Sequence, residues 1–254
     1  MQKKTIQVPV ELVNALAAAQ HVVVFTGAGV SAESGVSTFR DALTGLWARF
    51  DPMQLATPEA FLADPALVWG WYEWRRQLLL KVQPNPAHHA IVELAQRVPK
   101  LTVITQNVDD LHERAGSGDV LHLHGSIFNP RCFSCARPYS LDRAPDMAHE
   151  HALPPPTCSH CQGMIRPGVV WFGEALPEHA MQAAFAAAED CDCLLSIGTS
   201  GMVQPAASIP LVAAQQGATV VHINPEPMHV RGTKEFSLVG LAGELLPTLL
   251  GAKL

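Results

Sequence analysis

The sequence predicts an α/β fold: an open parallel sheet with helices on both faces, and a smaller second domain assembled from two insertions. Three observations carry that expectation. Strand-like apolar runs alternate with helical segments along most of the 254 residues, the rhythm of strand–helix–strand units. Most of the runs are continuous β-branched or leucine stretches, as in strands covered on both faces. Two blocks break the rhythm, a tryptophan-rich helical stretch over 42–84 and a cysteine-bearing region over 129–166.

The first 20 residues read as an amphipathic helix. They lack the apolar block of about 7–15 residues that a secretory leader carries and the arginines of an organellar transit peptide. No stretch approaches the roughly 20 unbroken apolar residues of a membrane helix, so the expectation is a cytoplasmic protein with no membrane partner. Strands are expected at 21–26 ("HVVVFT"), 101–105 ("LTVIT"), 120–124 ("VLHLH"), 168–172 ("GVVWF"), 193–198 ("CLLSIG") and 218–224 ("ATVVHIN"). Helices are expected over 86–98, with Asn85 as N-cap and Pro86 at the first helical position, over 178–191, and over 205–217, closed by Gly217.

Directly after the first strand, Gly27, Gly29 and Ala32 fit the GxGxxG/A spacing that lets a backbone approach a pyrophosphate. A dehydrogenase would follow with a second strand ending in an acid about 20 residues on. Here that window holds "STFRDALTGLWARFD", which reads as loop and helix, and the acid that ends a strand is Glu226 at the last one. Five strands end in polar tails: Thr26-Gly27, Thr105-Gln106-Asn107, His124-Gly125-Ser126, Gly198-Thr199-Ser200 and Asn224-Pro225-Glu226. Each tail is ordinary turn chemistry; in a parallel sheet all five converge on one crevice.

Net charge is −6, from 17 basic and 23 acidic side chains, with no basic cluster of the kind a nucleic-acid binder carries. Cys132, Cys135, Cys158 and Cys161 form two CxxC pairs separated by 22 residues, which suits four thiolates around one structural Zn2+ with no position left open for catalysis. Cys191 and Cys193, at the entry of an apolar strand, read as buried thiols. In "VLHLHGS", His122 and His124 share one strand face; either is a packed histidine or a general base working near neutral pH. In the helix "LVWGWYEWRRQLLL" (67–80), Leu67, Trp71, Trp74 and Leu78 make one core stripe, and Val68, Tyr72, Arg75 and Leu79 the adjoining one. Arg76 has Glu73 three positions back, whereas Arg75 has only Trp71, Tyr72, Leu78 and Leu79 at helical contact distances.

In order along the chain, "GAGVSAESGVSTFR" (27–40), "TQNVDDLHERAG" (105–116), "LHGS" (123–126), the paired CxxC, "GVVWFGE" (168–174), "GTS" (198–200) and "INPE" (223–226) resemble the sirtuins, the NAD-dependent protein-lysine deacylases. The resemblance implies a Rossmann-like NAD-binding domain (1–41, 85–128 and 167–254) joined to a small domain made of the helical module (42–84) and the zinc ribbon (129–166). An acyl-lysine protein or peptide would thread the cleft between them. It implies that NAD is consumed: nicotinamide leaves as the acyl oxygen attacks the ribose, and the products are free lysine and an O-acyl-ADP-ribose.

The same resemblance selects His124 as the general base. It places Gly27, Ala28, Gly29 and Ser31 along the cofactor, with Phe39 and Arg40 closing over the reaction centre. Gln106, Asn107 and Asp109 hold the nicotinamide ribose and carboxamide, and Gly198, Thr199, Ser200, Asn224 and Glu226 the phosphate and the other ribose. Leu241 or Ala242 meets the adenine, and Val169 and Phe172 lie near the acyl-lysine, whose backbone pairs with their strand. Tyr72 and Arg75 match the YxxR of the desuccinylase and demalonylase branch, where phenol and guanidinium grip the distal carboxylate. The activity implied is removal of succinyl, malonyl and also acetyl groups from lysine. The segment "DALTGLW" after Arg40 departs from the family by carrying fewer glycines than its mobile cofactor loop. Two other readings stand beside this one: ADP-ribosyl transfer to a protein or to water at the same site, and a non-catalytic NAD sensor or zinc-ribbon interaction module.

Overall fold

The structure is a computed structural model, and it describes residues 8–36, 51–141 and 152–251. In chain order the elements are α1 (Val10–Ala18), β1 (His21–Thr26), α2 (Gly29–Ala32), α3 (Pro52–Leu55), α4 (Pro58–Ala63), α5 (Pro65–Lys81), α6 (Pro86–Ala95), β2 (Lys100–Thr105) and α7 (Leu111–Ala115). They continue with β3 (Val120–His122), β4 (Gly125–Cys132), β5 (Ile165–Val169), α8 (Glu178–Asp190), β6 (Cys193–Ile197), α9 (Ile209–Gln215), β7 (Thr219–Asn224), β8 (Glu235–Val239) and α10 (Ala242–Gly251).

Six strands form one sheet in the order β3-β2-β1-β6-β7-β8, every neighbouring pair parallel. β1 lies at its centre with all six residues buried. Its side chains alternate between two apolar layers: Val22 and Val24 pack with Leu12, Ile91 and Leu245 from α1, α6 and α10, while Val23 and Phe25 pack with Ala184, Ile209 and Ala213 from α8 and α9. Burying a side chain of this size contributes roughly 1.5–3 kcal/mol, so the two layers hold a Rossmann-like doubly covered sheet. Because β2 and β6 lie on opposite sides of β1, the strand order reverses at the carboxyl end of β1, where open α/β sheets carry their ligand crevice.

A third apolar core joins α4 and α5 to β4 and β5, with Phe61, Trp71, Tyr72, Ile127, Ile165 and Trp171 at its centre. The helices start where their caps dictate. Thr57 Oγ1 accepts from Ala60 N at 3.1 Å, Asp64 Oδ1 accepts from Leu67 N at 3.0 Å, and Pro58 and Pro65 occupy first helical positions. Asn85 caps α6 as expected, its Oδ1 accepting from Ala87 N at 2.9 Å.

Several expectations are corrected. The run at 168–172 does not join the parallel sheet: β5 covers Ile165–Val169 and pairs antiparallel with β4. The reason is the turn at Gly125, whose φ of +72° swings the chain out of the main sheet after β3; a Cβ there would lie 2.1 Å from Gly168 O, and one on Gly168 would lie 1.8 Å from Asn129 O. For the same reason β3 stops at His122, and His122 and His124 do not share a strand face. On α5, Trp71 of the first expected stripe and Val68, Tyr72 and Leu79 of the second are buried, and Leu67 and Trp74 pack against the same core, whereas Leu78 is 44% exposed. β8 and α10 were not expected. β8 is a half-covered edge strand with no continuous apolar run, and α10 carries Pro247 inside it, which masks its helical pattern. Among the described residues no helix is long and apolar enough to cross a membrane.

Candidate active site

A cavity of about 500 Å³ opens at the carboxyl ends of β1, β2 and β6 and extends toward α5 and the residues after β5. Its floor is two interlocked glycine turns. Gly27 N donates to Ile197 O at 3.0 Å and Gly29 N to Gly198 O at 2.9 Å. A Cβ on Gly29 would lie 2.6 Å from Gly198 Cα, and one on Gly198, at φ +61°, would lie 2.4 Å from Val30 N. Only bare backbone fits here, which leaves a surface that a diphosphate can approach closely. Ala28 and Ser31 line the cavity beside these turns, as do Thr199 and Ser200 after Gly198.

The β2 tail forms the next wall. Ser31 Oγ donates to Asp109 Oδ2 and accepts from Asn107 Nδ2, both at 3.0 Å, while Asp109 Oδ1 accepts from Leu111 N at 3.1 Å and so starts α7. Burial pushes the Asp109 carboxyl up, against the Leu111 and Ser31 hydrogen bonds that hold it down. Gln106 Nε2 donates to Thr199 Oγ1 at 3.2 Å, and Asn224 Nδ2 donates to Thr199 O at 3.3 Å. These bonds tie the tails of β1, β2, β6 and β7 into one rim.

The two histidines separate here. His124 lines the cavity, and its Nδ1 lies 2.9 Å from Gln106 O. A carbonyl only accepts, so Nδ1 carries the proton and Nε2 of the neutral ring keeps its lone pair. Burial lowers the His124 pKa, with the Gln106 bond opposing; the ring is a neutral base at pH 7. His122 is outside the cavity lining, with Nδ1 3.2 Å from Asn107 O and Nε2 2.6 Å from Glu113 Oε1. Burial disfavours its charge, but Glu113, with Asn107 O and Asp109 adding to it, outweighs burial and the His122 pKa is raised. Of the pair, His124 has the environment of a base.

The third wall comes from α5 and the chain after β5. Tyr72 and Arg75, one helical turn apart, both line the cavity. Burial raises the Tyr72 pKa to about 12, against the field of Arg75. The Arg75 guanidinium lies 5.1 Å from the Trp71 ring centroid. Burial lowers its pKa, with Tyr72 and Asp109 opposing, and a guanidinium stays cationic near neutrality. Arg76 takes the structural role expected of it, bonding to Glu73 at 2.6 Å within the core. Val169 and Phe172 line the same cavity.

Other lining residues escaped sequence reasoning, among them Val36, Leu79, Val108 and Trp171. The buried Arg166, outside the lining, is another: it pairs with Glu174 through both nitrogens of its fork, bonds Val169 O at 2.9 Å, and lies 3.5 Å from the Trp171 ring centroid. A charge at each end of the apolar run "RPGVVWFGE" was the available signal. Glu226 is exposed and Ala242 buried, and neither lines the cavity; Phe39 and Arg40 lie outside the described residues, as does the segment "DALTGLW".

Away from the cavity, the Sγ atoms of Cys132, Cys135, Cys158 and Cys161 all lie within 4.8 Å of one another, with Cys132 to Cys161 at 3.4 Å and Cys135 to Cys158 at 3.8 Å. Four thiolates about 2.3 Å from a tetrahedral Zn2+ sit roughly 3.8 Å apart, so the cluster fits that ion. Both CxxC turns close alike, Ala136 N onto Cys132 O and Gln162 N onto Cys158 O. Cys191, which ends α8, and Cys193, which opens β6, are buried thiols, pushed up to about 11 and about 12 by burial.

Comparison with known proteins places relatives around this geometry. Residues 27–205 match the model of the Sir2 family. An NAD-dependent protein deacylase 1 of Pseudomonas aeruginosa is 62% identical over 242 residues, 94% of this chain and 96% of that protein. Among solved structures, a Sir2 homologue in complex with NAD is 44% identical with a TM-score of 0.85, covering 98% of this chain and 94% of that one. A Sir2 complex with a p53 peptide and NAD+ is 26% identical with a TM-score of 0.80, covering 95% of this chain and 97% of that one.

Proposed function

The chain belongs to the Sir2 family and is an NAD-dependent protein deacylase, and we propose that it removes succinyl and malonyl groups, and acetyl as well, from lysines of cytoplasmic proteins. The observation that carries the acyl specificity is that Tyr72 and Arg75 line the same cavity as His124. A phenol hydroxyl and a guanidinium fork at one end match a dicarboxylic acyl group, and a neutral imidazole lies along the same space to serve the chemistry.

In this reading His124 is the general base, taking a proton from a ribose hydroxyl at Nε2. Gln106, Asn107 and Asp109 hold the nicotinamide ribose and carboxamide. The backbone at Gly27, Ala28, Gly29 and Gly198, with the hydroxyls of Ser31, Thr199 and Ser200, receives the phosphates and ribose. Asn224 and Glu226 take the adenosine ribose and Ala242 the adenine, while Phe39 shields the reacting carbon from water and Arg40 meets a phosphate. NAD, when bound, would supply that carbon; with the acyl-lysine and one water it would yield free lysine, nicotinamide and an O-acyl-ADP-ribose. Val169 and Phe172 flank the lysine-bearing peptide, a role supported by the peptide named in the complex of the p53-bound relative. The four cysteines hold a structural Zn2+. The division into 1–41, 85–128 and 167–254 against 42–84 and 129–166 belongs to the same proposal, with the substrate between the two domains.

The test is incubation with NAD and matched succinyl-, malonyl- and acetyl-lysine peptides, following nicotinamide and peptide mass. Loss of the acyl mass from the succinyl and malonyl peptides, matched by nicotinamide release, is the expected result. Loss from the acetyl peptide alone would overturn the acyl assignment. Nicotinamide release with every peptide unchanged would point to ADP-ribosyl transfer or NAD hydrolysis instead.

A further inference from the structure

We infer that Trp171 is a positioning residue for acyl selectivity, fixing the hydroxyl of Tyr72 so that its one proton is donated into the cavity; this rests on the reading of Tyr72 and Arg75 as the carboxylate grip. Trp171 Nε1 lies 3.0 Å from Tyr72 Oη, and both side chains are buried. An indole N–H only donates, so the phenol oxygen must be the acceptor in this bond. The phenol has one proton of its own, and no acceptor for it is found among the described residues. With its pKa raised to about 12, Tyr72 keeps that proton at any working pH. Trp171 therefore converts an ambivalent hydroxyl into a dedicated donor beside Arg75.

The indole is itself held in place by several contacts. Arg166 Cζ lies over it, 3.5 Å from the ring centroid, and Phe61 packs at a centroid separation of 5.3 Å. Trp171 N donates to Glu174 Oε2 at 2.8 Å, and Glu174 is locked by the fork of Arg166. The flanking backbone is pinned too, Val170 N to His124 O at 2.8 Å and Phe172 N to Ala56 O at 2.9 Å. A donor this constrained fixes the direction from which the phenol oxygen is approached, and with it the direction of the remaining O–H. The same segment that flanks the lysine thus also orients the group that reads the acyl end.

The experiment measures kcat/KM for succinyl- and acetyl-lysine peptides of one sequence, at saturating NAD, in the wild type, Trp171→Phe, Tyr72→Phe and the double variant. Trp171→Phe keeps an aromatic ring under Arg166 and removes the N–H, together with part of the indole's volume. The succinyl-to-acetyl ratio is expected to fall by about 3–10-fold, the worth of one neutral hydrogen bond, chiefly through KM for the succinyl peptide. The double variant is expected to match Tyr72→Phe alone, because the indole acts through the phenol. An unchanged ratio in Trp171→Phe, or additive losses in the double variant, would overturn the inference while leaving the carboxylate grip intact. A wild type that does not desuccinylate would overturn the grip and this inference together. Should Trp171→Phe fail to fold, Tyr72→Phe carries the test: the resonance Raman signature of a hydrogen-bonded indole N–H should weaken, and an unchanged signature would overturn the inference.

Discussion

Nδ1 of His124 donates to the backbone carbonyl of Gln106 at 2.9 Å, and this one bond fixes which end of the imidazole is basic. Gln106 is the first residue past β2 and His124 the second past β3, so the pairing of those two parallel strands aims Nε2 into the cavity. His122, two residues away, is spent on Glu113.

Replacing His124 with Ala should therefore lower kcat by about 10²–10⁴, the usual worth of a positioned general base, with little change in melting temperature. The wild-type pH profile should show an acid limb whose midpoint lies below 6.5, because burial lowers the His124 pKa. Steady-state rates between pH 5 and 8 check both; a midpoint above 6.5 would contradict the environment described.

The interlocked turns predict a contrast between two glycines. Gly198→Ala combines a φ of +61° with a Cβ 2.4 Å from Val30 N, whereas Gly217→Ala has a similar φ of +88° and open space. Gly217→Ala should cost about 1 kcal/mol, the strain of a left-handed residue, and leave deacylation intact. Gly198→Ala should cost several times more and abolish NAD binding; denaturant titration and NAD calorimetry separate the two.

Much of this arrangement was legible in the sequence, and the reasons are specific. The continuous run "HVVVFT" and the capped helix at Asn85 carry local signals that packing does not override. Thr26, Gln106 and Gly198 are legible because strand ends in a parallel sheet share one edge. What escaped was set by contacts distant in sequence. The departure of β4 and β5 from the main sheet depends on the close approach of Gly125 and Gly168, 43 positions apart (168 less 125). Trp171 reaches Tyr72 across 99 positions. β8 stays illegible because an edge strand buries too little apolar surface to show a pattern.

The cysteine cluster predicts one Zn2+ per chain and a dependence of the small core on it, since Cys132 and Cys158 are buried in that core with Phe61 and Trp171. Cys135→Ser, or chelation under mild denaturant, should lower the melting temperature by ten degrees or so and remove activity by loosening the wall that carries Tyr72 and Arg75. Metal analysis and thermal unfolding check this; full stability without zinc would contradict it.

Acid should destabilise the fold before carboxylates titrate. His88 and His112 pack ring to ring at 4.9 Å; burial, with neighbouring histidines adding to it, lowers the His88 pKa to about 3, and burial, against the Glu113 carboxylate, lowers that of His112 to about 4. Below 6.5 the unfolded chain binds protons that the folded chain refuses, so stability falls as pH drops from 6.5 toward 4. The loss should be on the order of a few kcal/mol, read as a lower denaturation midpoint at pH 5 than at pH 7.

The most direct measurement is the ratio of kcat/KM for succinyl- and acetyl-lysine peptides in the wild type and in Arg75→Met. Losing the guanidinium that meets a buried carboxylate costs about 2 kcal/mol or more. The account predicts that desuccinylation falls about 30-fold or more while deacetylation falls much less. Equal losses on both peptides would contradict it.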